Sequence, residues 1–544
     1  MPLEPVLPTL VVLRRLGGLL LAGVLLGAGL IGAFPEAAGV PGGMPSAPRP
    51  SVTITPVPSS LSPPDPSSAP SASSPSPPNP SSAASSSPAA SAPASPATSS
   101  PGTVPPPAGP SPRPTAAAAD PSLAGVRDRL ALVLRRGRYG DRVAVSVLDV
   151  DGAAVFGRRA RRPLLPASTL KLVTAAAALA RLGPEFRYTT SVNAVRPPTR
   201  RGVVHGDLVL VGGADPTLGT PAFGRAEPDR PRTPLEDLAT RVRAAGVRRV
   251  TGRLVADPTV LAPQPLAAGW LPGYLDDLDT TRASGLTVDA GRLLFRTDAG
   301  LQGRAALDPA AVAGRAFHAL LRRRGVDIAG HSVVATRPRA EAALAQVRSA
   351  PLRTIVRYMT SRSDNHLADG VFRTLGAVGG TPTWAGSARV ARRSLRGLDL
   401  LWAGSVLADG SGLSRDDRLS AGLLVRLQAG MWTSNLARPW REVMALAGRR
   451  GTLAGRLVGT VAERRLYGKT GTLSDVRSLV GTVVGPGDSA WHLAVIGNGL
   501  TTAQRERLSS TTDRLVLVLA RELHGCPLVQ RAGQRPPRRE RCPA

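Results

Sequence analysis

Pro166-Ala167-Ser168-Thr169-Leu170-Lys171 and Tyr467-Gly468-Lys469-Thr470-Gly471-Thr472 hold the only two lysines of this 544-residue chain. Of 68 Lys+Arg residues, 66 are arginine. A composition rich in Ala, Arg, Gly and Pro explains why lysine is rare. It does not explain why both lysines fall in Ser-x-x-Lys and Lys-Thr-Gly patterns. An amine can lose its proton when it is buried or crowded by another cation, whereas a guanidinium effectively cannot. The pair therefore points to a site that needs an amine able to act as a base.

Ser168 and Lys171 are three residues apart at the start of an expected helix, which puts them on one face. A serine hydroxyl is a poor nucleophile until a neighbouring base takes its proton. Burial against the Ala-rich run that follows, and the positive charge of Lys469, would both lower the pKa of Lys171. The helix N-terminus offers the Ser168 N–H as an oxyanion donor. Between the two lysines, Ser363-Asp364-Asn365 interrupts a helical pattern. Gly471 lets a strand edge approach a ligand closely, and an edge carrying a cation and two hydroxyls suits a peptide with a carboxylate end. Alone, each motif has an ordinary reading: a capping serine with a surface lysine, a helix-capping Ser-Asp pair, a turn-like tripeptide.

Together and in this order, Ser-x-x-Lys, Ser-Asp-Asn and Lys-Thr-Gly are the signature of penicillin-binding proteins and class A β-lactamases. Ser363 follows Ser168 by 195 residues and Lys469 follows Ser363 by 106. The long first gap resembles the insertion of the class C low-molecular-weight penicillin-binding proteins, the D-alanyl-D-alanine carboxypeptidase/endopeptidase family. Three further segments are similar to that family: Gly212-Gly213-Ala214-Asp215-Pro216-Thr217-Leu218, Ala283-Ser284-Gly285-Leu286-Thr287-Val288-Asp289 and Asp409-Gly410-Ser411-Gly412-Leu413-Ser414-Arg415, the last as a wall of the active site.

The resemblance implies an α/β (α+β) chain with a β-lactamase/transpeptidase-like fold, an antiparallel sheet flanked by helices with a large α+β insertion between the first two motifs. It implies a serine-type carboxypeptidase, with Ser168 as nucleophile, Lys171 as its base and Ser363 as proton relay. Asn365 would hold the substrate backbone and orient Lys171, and Lys469, Thr470, Gly471 and Thr472 would bind the substrate's terminal carboxylate. The N–H groups of Ser168 and Thr472 would form the oxyanion hole. It implies no metal and no cofactor, peptidoglycan stem peptides as substrate, and β-lactams as acylating inhibitors. A D,D-endopeptidase acting on peptide cross-links shares every motif. A non-catalytic wall-binding module is the other alternative, and the intact motif set argues against it. Nothing outside the motifs marks the deacylating carboxylate of a β-lactamase.

A net charge of +30 draws the chain to polyanions. Without a zinc pattern or an RNP-like aromatic run, and with 3% aromatic residues, nucleic acid is a poor partner; anionic wall polymers or a membrane surface suit an exported protein better. Residues 16–34 are apolar and follow Arg14-Arg15, the pattern of a transmembrane anchor or a signal peptide, with residues 1–15 on the cytoplasmic side and the remainder extracytoplasmic. Residues 35–121 are Pro-, Ser- and Ala-rich and read as a disordered linker. The catalytic domain is expected over 122–187 and 339–525, the inserted module over 188–338, with a β-rich run at 250–256 and a helix at 309–323, and an Arg/Pro-rich tail over 526–544. Cys526 and Cys542 would close one loop in an oxidising compartment. Strands at 142–150, 153–156, 464–472, 477–484 and 490–497 are expected to form one sheet from both ends of the domain. His366 is expected to point away from the chemistry, and Trp270 and Tyr274 to serve the core or a hinge.

Overall fold

The structure, a computed structural model, describes residues 123–336 and 342–525. The expected anchor, linker and C-terminal tail, with Cys526 and Cys542, lie outside the described residues. Among the described residues no helix is long and apolar enough to cross a membrane.

The principal elements run α1 (Ala124–Gly137), β1 (Val143–Leu148), β2 (Ala154–Arg158), α2 (Lys171–Leu182), β3 (Thr189–Ala194), β4 (Leu208–Val211), α3 (Leu235–Ala244), β5 (Leu254–Asp257), α4 (Pro309–Arg323), β6 (Ser332–Val334) and β7 (Ala342–Arg348). They continue with α5 (Leu352–Arg362), α6 (Asn365–Val378), α7 (Trp384–Ser394), α8 (Ala421–Thr433), β8 (Ala445–Leu446), β9 (Leu466–Leu473), β10 (Val476–Val484), β11 (Ala490–Gly497) and α9 (Thr502–Leu523). The main sheet has the order β8-β9-β10-β11-β1-β2, antiparallel at every pairing. The first two strands of the chain thus close onto the last, as expected; β8, a two-residue strand, extends the edge beyond the five strands the sequence suggests.

Strand alternation divides the core. Val143, Val145 and Val147 face α1 and α9 together with Leu479, Leu493 and Val495. Ala144, Val480, Ala494 and Ile496 face the opposite layer, built from α2 and α5 to α8. Side chains on a strand point to alternate faces, so these apolar runs bury both sides of one sheet. α2 lies inside the second layer. Its residues Lys171 to Leu179 are all buried, and the Ala175–Ala178 run lets neighbouring helices approach it closely.

Between α2 and α5 a second sheet forms, in the order β6-β5-β4-β3-β7. It is mixed, with β4, β5 and β6 parallel and β3 antiparallel to both its neighbours. Its core includes Leu208, Leu210, Leu254, Leu238 and Phe317. The run 250–256 reads as one strand in the sequence, but the structure divides it. Arg249–Val250 joins a separate three-stranded sheet, and β5 starts only at Leu254. The break falls at Gly252, where a Cβ would collide with Gly206 and Asp207.

Ala177 has no exposed surface, so Ala177→Leu must displace the helices around α2. A loss of about 1–3 kcal/mol of unfolding free energy is expected from such overpacking, read as a lower urea midpoint at unchanged slope.

Candidate active site

The helix expected from Pro166 does not begin there. Ala167–Leu170 form a 3₁₀ turn, and α-helix starts only at Lys171. The turn is entered through Ala167 at φ +49°, an uncommon conformation for a residue with a Cβ. In a 3₁₀ turn residues i and i+3 eclipse, and Lys171 Nζ accordingly lies 2.9 Å from Ser168 Oγ. The sheet pins this turn in place. Ser478 Oγ donates to the Pro166 carbonyl at 2.7 Å. A Cβ on Gly471 would collide with Ser478 Oγ itself, and would stand 2.8 Å from that same carbonyl and 3.1 Å from Ala167 Cβ. Residue 471 is therefore glycine because β9 touches the turn that carries Ser168.

Lys171 Nζ has two other neighbours, Asn365 Oδ1 at 2.6 Å and the Ser411 carbonyl at 2.6 Å. Both are carbonyl oxygens, which only accept. In the neutral amine they take its two N–H groups, and the lone pair is left facing the Ser168 hydroxyl. Burial drives the pKa of Lys171 down to about 8, against the raising effect of Asp369, Asp409, Asp364 and Asp417. The expected lowering by Lys469 is not the cause. The influence runs the other way: Lys469 is pushed well below its usual value by burial and then by the charge of Lys171.

The loop after Asp409 supplies the Ser411 carbonyl. Asp409 Oδ1 accepts the N–H groups of Ser411 and Gly412 at 2.9 and 2.6 Å. Asp409 Oδ2 accepts from the N–H of Ser414 and from Trp270 Nε1, each at 2.8 Å. One buried carboxylate thus winds the loop and fixes the indole, so Trp270 holds the wall, while Tyr274 sits in the short helix Gly273–Asp276. Burial and the Asp409 charge push the neighbouring carboxyls of Asp369 and Asp417 well above the usual range.

Ser363 ends α5 in the left-handed conformation, φ +59°, and Asp364 caps α6 by accepting from Leu367 N–H at 2.9 Å. The expected capping role belongs to Asp364 alone, which leaves Ser363 and Asn365 free to face the lysines. Lys469 Nζ donates to Ser363 Oγ at 3.0 Å and to the Thr470 carbonyl at 2.7 Å. Thr470 Oγ1 donates to Thr452 Oγ1 at 2.8 Å, and Arg477 Nη1 donates to Thr472 Oγ1 at 2.7 Å. The three motifs therefore meet: Ser168 and Lys171 join Asn365, and Ser363 joins Lys469. His366 points elsewhere. Its Nδ1 lies 2.7 Å from Thr281 Oγ1, and burial lowers its pKa to about 3, so it stays neutral.

Several contributors escape sequence reading. Ser411 acts through its backbone, which no side-chain pattern marks, although the Asp409-Gly410 turn hints at the loop. Arg477 is opposite Thr472 in the β9–β10 register, and as one of 66 arginines it carries no signal. Segments 212–218 and 283–289 knit to each other through Ala214 N–H and the Gly285 carbonyl, 2.8 Å apart. Pro216 packs against Gly370 of α6, where an added Cβ would stand 2.7 Å from Pro216 Cβ.

Comparison with known proteins finds a family and several relatives. The family described as D-Ala-D-Ala carboxypeptidase 3 (S13) matches residues 126–307 and 296–521. Carboxypeptidase DacB of Mycolicibacterium smegmatis is 33% identical over 429 residues, covering 75% of this chain and 89% of the relative. Carboxypeptidase Rv3627c of Mycobacterium tuberculosis is 31% identical over 406 residues, covering 73% of this chain and 85% of the relative. Among solved structures, penicillin binding protein 4 (dacB) of Haemophilus influenzae superposes with a TM-score of 0.61 at 20% identity, over 72% of this chain and 99% of that one. It shares the fold.

Gly471→Ala is expected to force β9 off the Ser168 turn, at a cost of about 1–3 kcal/mol in urea unfolding. Gly455, where an added Cβ would meet nothing within 4 Å, is the control: Gly455→Ala should leave the midpoint in place.

Proposed function

This chain belongs to the D-Ala-D-Ala carboxypeptidase 3 (S13) family and is a serine-type D-alanyl-D-alanine carboxypeptidase, and we propose the following roles for its residues. The substrate is a peptidoglycan stem peptide whose terminal carboxylate is bound by Lys469, Thr470 and Thr472 along β9, with Gly471 keeping the strand close to the nucleophile. An arriving carboxylate favours the charged form of Lys469, against the effect of burial. The scissile carbonyl oxygen lies between the backbone N–H groups of Ser168 and Thr472, which stabilise the oxyanion as it develops.

Ser168 Oγ then attacks the carbonyl carbon while neutral Lys171 takes the hydroxyl proton. Asn365 and the Ser411 carbonyl hold the two amine hydrogens, so the lone pair keeps its aim. On collapse of the tetrahedral intermediate the C–N bond breaks, and the proton that Lys171 took from Ser168 passes through the Ser363 hydroxyl, which Lys469 orients, to the leaving D-alanine amine, so that Lys171 is neutral again. Water attacks the acyl-Ser168 ester, Lys171 takes a proton from it, and the serine is regenerated. The observation that carries this reading is the Lys171 amine 2.9 Å from Ser168 Oγ with both its other partners acceptor-only. β-Lactams would acylate the same serine and leave slowly. The enzyme would work outside the cytoplasm, held or exported by residues 16–34 and spaced from the membrane by residues 35–121, with its positive charge drawn to anionic wall polymers.

Intact-mass measurement with a labelled penicillin tests the nucleophile. The protein should gain one adduct and Ser168→Ala none; equal labelling of the variant would overturn the assignment. Lys171, with its pKa lowered to about 8, is active as the neutral amine. The acylation rate should therefore rise with pH, level off above about 8, and stand about a hundredfold below the plateau at pH 6. A flat profile would remove Lys171 as the base. Release of D-alanine from a pentapeptide should outrun cleavage of a cross-linked dimer; the reverse order would make the enzyme an endopeptidase.

A further inference from the structure

Residues 364, 365 and 366 are each gripped by a residue from the stretch between β3 and β7. Arg230, in the loop before α3, reaches both carboxylate oxygens of Asp364, with Nη1 on Oδ2 and Nη2 3.4 Å from Oδ1. Asn365 Nδ2 donates to the Asp279 carbonyl at 2.7 Å. Thr281 Oγ1 donates its one proton to the Ala290 carbonyl at 2.8 Å, so His366 Nδ1 must be the donor to Thr281. Thr280 Oγ1 reaches Asp369 Oδ2, one turn on, at 3.2 Å.

Arg230 is the strongest of these contacts. Its side chain is 6% exposed and that of Asp364 14%. The guanidinium lies 5.8 Å from the ring centres of both Phe223 and Tyr358, so two aromatic faces hold its plane. Its Nε is buried with no hydrogen-bond partner among the described residues, an unfavourable arrangement that a merely space-filling residue would not impose. Burial pushes the Asp364 carboxyl up, but Arg230 and the Leu367 N–H pull it below the usual carboxylate range. The carboxylate thus gripped sits between the two residues that face the lysines. On one side is Ser363, at φ +59° and bonded to Lys469; on the other is Asn365, bonded to Lys171. A rotation of the backbone at 364 would swing both.

We propose that Arg230 is a positioning residue: by gripping Asp364 from the inserted segment it sets Ser363 and Asn365 against the two lysines. The inserted segment is then part of the active-site frame. The inference rests on the catalytic roles proposed above. Arginine suits this position because its planar fork meets both carboxylate oxygens, which an ammonium cannot do in a fixed plane.

The test is the rate of acylation of Ser168 by a fluorescent penicillin, normalised to titrated active sites, beside the thermal unfolding midpoint of the same samples. Arg230→Met should acylate about 10–100-fold more slowly, the size of effect that small misplacement of catalytic groups produces. Arg230→Lys should fall between it and the parent. The double variant Arg230→Met with Asp364→Asn removes the stranded buried charge. It should regain most of the thermal midpoint while acylation stays slow. Wild-type acylation in Arg230→Met, or recovery of rate and midpoint together in the double variant, would make Arg230 a packing residue and overturn the proposal. If Arg230→Met fails to fold, the other two variants decide it: wild-type rates in either overturn it. Failure of the parent protein to acylate at all would instead sink the catalytic reading.

Discussion

The Lys171 amine is the point on which this domain turns. It draws together three segments that are remote in sequence, the Ser168 turn, the start of α6 and the loop after Asp409. A buried charge is costly unless it is paired, and a buried neutral amine still needs its hydrogens accepted. Two carbonyl oxygens meet that need and leave a single direction for the lone pair. The buried aspartates nearby work against deprotonation, while burial works for it and prevails. The balance leaves an amine poised to titrate near neutral pH, the range in which a general base is most effective.

The rest of the fold can be understood as the means of holding that amine in place. α2 must be buried on all sides to desolvate Lys171, which is why its next two turns are almost wholly alanine, leucine and valine. The main sheet must bring β9 against the 3₁₀ turn, which requires glycine at 471 and a serine at 478 to tie the turn down. Ala167 and Ser363, two of the eleven non-glycine residues at positive φ among the described residues, stand at the two places where the candidate catalytic side chains leave regular structure. The strain of such a conformation persists where the surrounding packing over-determines it. The inserted segment adds to the same frame from outside, through Asp279, Thr281 and Arg230.

Much of the fold could be read in advance because its signals are local and repeated. The expected helix at 309–323 coincides with α4, and the expected strand at 490–497 with β11, since period and capping residues act over a few positions. The 250–256 run was misread because its break depends on contact between Gly252 and a distant backbone at Gly206. The 3₁₀ start of α2 was missed because Ser478 and Gly471, some three hundred residues away, hold the turn. The mutual influence of the two lysines was expected with the wrong direction of emphasis. How strongly each amine is desolvated depends on packing that the linear chain does not display.

The sequence by itself determined the chemical parts: which serines and lysines, in what order, and that both lysines fall inside two of the three motifs. Those facts are carried by residue identity and short spacing. Only the tertiary structure decided which oxygen atoms face the Lys171 amine, that one of them belongs to the backbone of Ser411, and that Arg230 grips the residue between Ser363 and Asn365. These depend on distances between segments hundreds of residues apart, and such distances exist only once the layers have packed.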